Sequence, residues 1–318
     1  MITIFSAPKP FVDEHISLIQ RNAVQSWKAL GEEVEVFLLG DEPGLRQAAS
    51  ELGVPLLPVR SRAPSGAPLI NELFQIAREA ATHSMLCYLN ADILLLDDFL
   101  PAVRSVENAF PKFLIVGNRW DIEIHEELKV REGWVEDLRR IQKTNGKLHP
   151  PMGSDYFVFR QGQFEDIPAF ALGRAGWDNW MMYKARHEGI ALVDASATVT
   201  VVHQGHDYAH LPNGEPHYRH AESIRNIELA GGYETMFHLR DANWMLSPDG
   251  IRKKRIKDWE WPRKIEADII AGFGAGFAAR LTRMLFHPMA ALAYLQHKMS
   301  GSNSAKARPS SGERESRS

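Results

Sequence analysis

The segment Leu89-Asn90-Ala91-Asp92-Ile93 closes the apolar run Met85–Leu89 with a polar turn and an acid. A carboxylate at the end of a buried strand can hold a divalent cation through oxygen, and such a cation can neutralise a diphosphate. The same aspartate could instead cap the following helix, the one that holds Asp97–Val103. Two other strand-like runs end in polar clusters: Ile2–Phe5 in Ser6-Ala7-Pro8, and Val34–Leu39 in Gly40-Asp41-Glu42-Pro43-Gly44. Further on, Gly153-Ser154-Asp155-Tyr156 and Gly176-Trp177-Asp178-Asn179-Trp180 set acids beside aromatic rings. Residues 203–220 hold five histidines among 18 positions. Carboxylates serve acid–base work and metal binding, and neutral imidazole is a metal ligand. No His-Glu-x-x-His sequence accompanies these histidines, which argues against a zinc hydrolase. Gly272-Phe-Gly274-Ala-Gly276 has the glycines of a dinucleotide loop but neither a strand before it nor a ribose-binding acid at the expected distance.

These residues need elements to position them. Residues 13–30 place Ile16, Ile19, Ala23, Trp27 and Leu30 at helical spacing. A β-branched strand follows at Val34–Leu39, then a helix at 45–52, a strand at Val54–Val59 and a Pro/Gly/Ser loop at 61–67. A helix over 69–82 leads to the buried strand Met85–Leu89. Strands alternating with helices predict an α/β fold: a Rossmann-like, mostly parallel sheet with helices on both faces. Ligands of such sheets bind beyond the carboxyl ends of the strands, so the polar clusters gather on one rim. A further strand, Phe113–Gly117, ends at Asn118-Arg119-Trp120. Residues 121–150 read as a polar helical insertion and loop, and a strand ends the run Gly153–Phe159. A helix starts near Trp177, and Ala191–Asp194 and Thr198–His203 are short strands.

The 318 residues are 44% hydrophobic with a formal charge of −3, which excludes a wholly disordered or fibrous chain. The single cysteine, Cys87, lies in an apolar run as a core residue, rules out an intramolecular disulfide framework and fits a reducing compartment. The net charge hides an asymmetry: residues 251–318 carry 14 Lys/Arg against 6 Asp/Glu, so residues 1–250 stand at −11. The chain therefore divides into a main domain at 1–250, a basic helical extension at 251–299 and a disordered tail at 300–318. In the extension, Ile265, Ile269, Phe273, Phe277, Leu281 and Leu285 recur every four residues, predicting one amphipathic helix up to Pro288. Its three glycines each cost roughly 1 kcal/mol of helix propensity, so it needs a surface to lie on. An anionic membrane and the main domain itself are the two candidates. Nucleic acid is not expected as a partner, because no recognition motif accompanies the charge. Neither a leader peptide nor a membrane-spanning run is expected, which points to the cytoplasm, with peripheral contact at the inner face of a membrane if the extension binds lipid.

Gln20-Arg21-Asn22-Ala23…Ser26-Trp27, Gly40-Asp41-Glu42, Tyr88-Leu89-Asn90-Ala91-Asp92 and the two Gly-rich acidic segments together resemble the nucleotide-diphospho-sugar transferases of the glycosyltransferase A-type fold, over residues 1 to about 245. The resemblance implies a metal-binding Asp-x-Asp at a strand end, Mn²⁺ or Mg²⁺ as cofactor, and a nucleotide-sugar donor. It also implies a glycan, lipid-linked or small-molecule acceptor. Asp92 matches the second acid and inherits the metal contact. Asn90 replaces the first, which leaves metal-independent transfer open, and it can bond the donor ribose or sugar. Ser6, Ala7 and Pro8 correspond to the loop lining the base, and Asp41 to the acid on base or ribose, unless it is only a turn residue. Asn71 reaches the donor or caps its helix. Arg21 and Asn22 are as well placed for structural roles.

By the same resemblance Asp178 is the base of an inverting transfer, kept ionised by a helix N-terminus, or else an N-cap. Asp155 is its rival, as base or sugar binder. Trp177 and Trp180 form a sugar-stacking platform or pack the core. His203, in preference to His206, completes the metal shell. Two competing readings are a nucleotidyltransferase, which lacks its Gly-rich phosphate loop after Phe5, and a non-catalytic nucleotide- or sugar-binding protein on the same fold.

Overall fold

A computed structural model describes residues 1–205, 220–255, 260–274 and 276–286. The first half alternates as expected: β1 (Ile2–Ser6), α1 (Glu14–Lys28), β2 (Val34–Leu39), α2 (Leu45–Leu52), β3 (Leu56–Leu57), α3 (Ile70–Ala80) and β4 (Met85–Leu89). Asp13 starts α1 by accepting the amide of Ile16 at 2.8 Å, and Lys28 closes its last turn. The expected strand Val54–Val59 shrinks to two residues because Pro55 and Pro58 flank them and bring no amide to the ladder. Next come β5 (Ile93–Leu95), α4 (Phe99–Ala109), β6 (Phe113–Val116), β7 (Trp120–Ile122), α5 (Trp134–Asn145), β8 (Lys147–Leu148) and β9 (Tyr156–Arg160). The polar stretch 121–150 is therefore not wholly helix and loop; two short strands bracket its helix. α6 (Trp177–His187), β10 (Ala191–Asp194), β11 (Val201–Gln204), α7 (Ala221–Leu229), β12 (Trp244–Ser247) and β13 (Gly250–Lys253) follow.

The main sheet runs β13-β12-β10-β6-β9-β4-β1-β2-β3. All its pairings are parallel except those of β9 with β4 and β6, and of β13 with β12. Strand alternation divides the core in two. Ile2, Ile4, Met85, Cys87 and Leu89 face α1, α2 and α4. Phe5, Leu86, Tyr88, Phe157 and Phe159 face α3 and α6. Cys87 is fully buried, and burial pushes its thiol far up, in keeping with an inert core residue. A second sheet, β5-β11-β7-β8, sits beside the first, with β11 antiparallel to β5 and parallel to β7.

The amphipathic run 265–285 is two helices, α8 (Trp261–Phe273) and α9 (Phe277–Phe286), instead of one. Gly274, at φ 74°, ends α8 in a backbone conformation that favours glycine. α8 docks on α6, burying Ala267, Ile270 and Ala271 in the second core. Gly272-Phe-Gly274 lies at this helix end, so it is no nucleotide loop. The tail at 300–318, expected to be disordered, lies outside the described residues. Among those described, no helix is long and apolar enough to cross a membrane.

Candidate functional site

The carboxyl ends of β1, β4 and β6 open on one rim, and the antiparallel β9 adds its amino end to the same rim. Leu89 of β4 pairs with Tyr156 of β9, so Asp155 sits directly beside Asn90. The amide of Asn90 donates to the Asp155 carbonyl at 3.0 Å, and its side-chain amide donates to Asp155 Oδ1 at 2.8 Å. Asn90 Oδ1 accepts the Tyr88 hydroxyl at 3.1 Å. Arg119, just beyond β6, donates to the same Asp155 oxygen at 2.7 Å, with both side chains mostly buried. Asp155 is thus a clamped carboxylate, held by an amide and a guanidinium.

The second sheet brings His203 to Asp92. In β11, His203 is paired with Ile93 on one side and Asp121 on the other. His203 Nε2 lies 3.7 Å from Asp92 Oδ2, and Nδ1 lies 3.1 Å from Asp121 Oδ1. Burial lowers the His203 pKa against the pull of Asp92, so the imidazole is held neutral. Asp121 also accepts from Arg119 Nε at 3.0 Å and contacts His149 Nδ1 at 2.8 Å. Burial would raise its pKa, but His149 and Arg119 win and hold it below the usual carboxylate range. Asp92 does not cap α4; Asp98 occupies that position. Lys9, just past β1, is a cation of this site that the sequence did not single out. Burial lowers its pKa, and the charge of Asp92 opposes that shift.

The motif Gln20…Trp27 braces this corner. Gln20 clasps the loop after β1 through the Lys9 amide at 2.6 Å and carbonyl at 3.0 Å. Trp27 Nε1 donates to the Ile93 carbonyl at 2.8 Å, and Ser26 Oγ accepts the Leu95 amide at 3.2 Å. Buried Asn22 donates to Gln204 Oε1 at 3.1 Å and accepts the Leu128 amide at 2.7 Å. Gln204 in turn donates to the carbonyls of Ile19 and Asp92, at 2.7 and 3.2 Å. Asn22 is therefore structural, and Arg21 pairs with Glu51 at the surface.

Asp178 lies in the first turn of α6, two residues past the N-cap, Gly176, so it is not the cap. Burial pushes its pKa up to about 6, Asp155 adds to the rise, and the amides of Asn179, Asp178 and Gly176 pull it back. The helix start therefore does not keep it strongly ionised; desolvation outweighs the peptide dipoles. Gly153 packs against this carboxylate: a Cβ there would come 2.5 Å from Asp178 Oδ2. Trp177 and Trp180 form no open platform. Both are buried, Trp177 against Tyr88 and Phe157, and Trp180 edge-on to Phe170.

On the nucleoside side, Ser6 ends β1 fully buried, and Ala7 and Pro8 follow. Ser6 Oγ and Asn71 Oδ1 are buried acceptors with no hydrogen-bond partner among the described residues. Asn71 does not cap α3, whose N-cap is Leu69. Asp41, past β2, is largely exposed and pairs with Arg62, which also bonds Glu42 at 2.9 Å and the Gly66 carbonyl at 2.8 Å. That ties the 61–67 loop to the rim. His206 lies outside the described residues.

No family model and no curated protein matches the chain. Solved structures similar to it include the mannosyltransferase PcManGT from Pyrobaculum calidifontis in complex with GDP-Man and Mn²⁺. It is 14% identical over 97% of this chain and 81% of that one, with a TM-score of 0.45. S. aureus TarS 1–349 in complex with UDP-GlcNAc is 12% identical over 93% and 92%, with a TM-score of 0.48. Glucosyl-3-phosphoglycerate synthase from Mycobacterium tuberculosis, in complex with Mn²⁺, UDP and glucosyl-3-phosphoglycerate, is 14% identical over 71% and 77%, with a TM-score of 0.40. At these identities and scores the likeness assigns no residue a role.

Proposed function

We propose that this chain is a glycosyltransferase, moving a sugar from a nucleotide-diphosphate donor to a hydroxyl of a glycan, lipid-linked or small-molecule acceptor, with inversion. The observation that carries the reading is Asp92 beside a neutral imidazole, with Asp155 near both that imidazole and a further half-buried carboxylate, Asp178, whose pKa is raised to about 6. Among the described residues no group of three His, Cys, Asp or Glu is placed to hold a metal ion. Two protein ligands, Asp92 and His203, nevertheless fit Mn²⁺ or Mg²⁺ bound mainly through donor diphosphate oxygens and water. A cation held there supplies charge neutralisation to the leaving diphosphate.

The chain's own residues do the rest. Ser6, Ala7, Pro8 and Asn71 receive the nucleoside, whose polar edge satisfies the open acceptors of Ser6 and Asn71. Asp41, steadied by Arg62, takes the ribose. Asn90 and Arg119 orient Asp155 toward the donor sugar. Asp155 is already held by the Asn90 amide and the Arg119 guanidinium. Asp178, without such a partner cation in its shift, accepts the proton of the acceptor hydroxyl. Lys9 adds a positive charge near the diphosphate. The single buried cysteine favours a cytoplasmic location, and the basic extension 251–299 favours the inner face of a membrane.

Calorimetry with Mn²⁺ and a panel of nucleotide sugars tests the reading. Donor binding that needs the metal, and is lost in Asp92→Ala, is the expected result. Absence of heat from every donor, with Asp92→Ala indistinguishable from the parent, would sink it.

A further inference from the structure

Seven of the fifteen large apolar side chains exposed among the described residues lie on α8 and α9: Trp261, Ile265, Phe273, Phe277, Leu281, Met284 and Leu285. Trp261 at the start of α8 meets Phe286 at the end of α9 edge-on, with ring centroids 6.3 Å apart, so the two helices form an antiparallel hairpin. Phe273 ends α8 and Phe277 starts α9, and they are 76% and 82% exposed, more than any other large apolar residue described. On α9, Phe277, Leu281, Met284 and Leu285 fall at i, i+4, i+7 and i+8 and share one face, while Thr282 is buried. Among the described side chains of α9, the apolar ones on this face are turned to water and a polar one is turned inward, the reverse of a helix that only completes a core. α8 packs its other side on α6 through Ala267, Ile270 and Ala271, and the outer face stays exposed among the described residues.

We infer that the α8–α9 hairpin is a lipid-binding wedge that lays its outer face on an anionic membrane surface, with Phe273 and Phe277 entering the acyl boundary. Charge selects this occupant over an apolar protein groove. Residues 251–318 carry eight surplus positive charges, and Arg252, Lys253 and Arg255 are exposed just before α8. Ile251 packs into the core on the α1 and α4 side of the sheet, so strand alternation turns Arg252 to the side that carries α8. Aromatic rings at a hairpin tip beside cations are the composition of an interfacial anchor, and neither helix is long enough to span. The inference does not depend on sugar transfer, and its test reads lipid binding without turnover.

The full chain should float with vesicles of phosphatidylcholine containing phosphatidylglycerol and not with phosphatidylcholine alone. The double variant Phe273→Ser/Phe277→Ser should partition at least tenfold more weakly. Both rings are exposed, so the variant should keep the parent's melting temperature. Val12→Ser, at a residue 73% exposed beside α1 on the opposite face, should float like the parent. Cys87 is buried, so Phe277→Cys offers one accessible thiol for an environment-sensitive dye, whose emission should shift to the blue only when the anionic vesicles are added. Equal flotation of parent and double variant overturns the inference. So does a dye already shielded without lipid, which would make another part of this chain the cover. A dimer on light scattering that the double variant dissociates would instead make the face an interface between copies.

Discussion

At the scale of single residues, Asp178 shows how burial decides chemistry. Its pKa of about 6 lies above the 3.8 of an unfolded aspartate, so the folded state holds its proton longer. Folding stability from this group is therefore undiminished below pH 3.8 and is lost as pH rises through 6. The ionised form costs up to about 3 kcal/mol above that. Asp178→Asn should remove most turnover, about a hundredfold or more, yet unfold at higher denaturant than the parent at pH 8 and equally at pH 4. A pH profile of kcat/KM for the parent should climb toward neutrality with a midpoint near 6. A variant less stable at pH 8 would contradict the buried charge. Asp121, on the short strand beside β11, makes a different prediction. It faces His203 Nδ1 and leaves Nε2 toward Asp92, the arrangement in which a carboxylate orients a metal-binding imidazole. Asp121→Asn should weaken Mn²⁺ binding about tenfold on calorimetry and move the His203 ring resonances, without altering the melting temperature much.

At the scale of elements, α1 acts as a brace for β5, the strand that leaves the Asn90-Ala91-Asp92 turn. Trp27→Phe keeps most of the buried ring volume and deletes one donor, leaving the Ile93 carbonyl unsatisfied in the core. The expected cost is about 1–3 kcal/mol in denaturant unfolding, together with weaker metal binding because Asp92 is next in the chain. Unchanged metal affinity would separate the brace from the site. Gly153→Ala should act on the opposite wall: the added methyl would meet the Asp178 carboxylate, lowering kcat with little change in KM. The residues of these motifs were legible in sequence, but their division of labour was not. Gln20, Asn22, Ser26 and Trp27 look as polar and aromatic as site residues do, and only their hydrogen bonds assign them to scaffolding.

At the scale of the whole molecule, α8 is fixed to the body by charge as well as by apolar packing. Arg263 donates to both oxygens of Asp241, at 2.9 and 2.7 Å, and that carboxylate is 1% exposed. Removing the guanidinium would strand a buried charge, so Arg263→Met should cost about 3–5 kcal/mol. Replacing both partners with apolar residues should recover much of that loss. Denaturant unfolding of the two variants checks the pair. The sheet also runs through Lys253 and α8 enters the second core, so the body and the start of the basic segment fold as neighbours.

The sequence by itself determined the alternation of strands and helices, the mostly parallel sheet and the rim at its strand ends, because hydrophobic period and turn chemistry are local properties. It also marked Asn90, Asp92, Asp155, Asp178 and His203. Only the tertiary structure decided what each of them meets. β9 enters the sheet antiparallel, which brings Asp155 from the start of its strand to the same rim as Asn90 at the end of another. A second small sheet puts Asp121 and His203, 82 residues apart, in register. Whether Trp177 stacks on a sugar or on Tyr88, and whether Asp178 is charged at pH 5, depends on neighbours distant in the chain. Desolvation and pairing are set by those neighbours, and no local pattern records them.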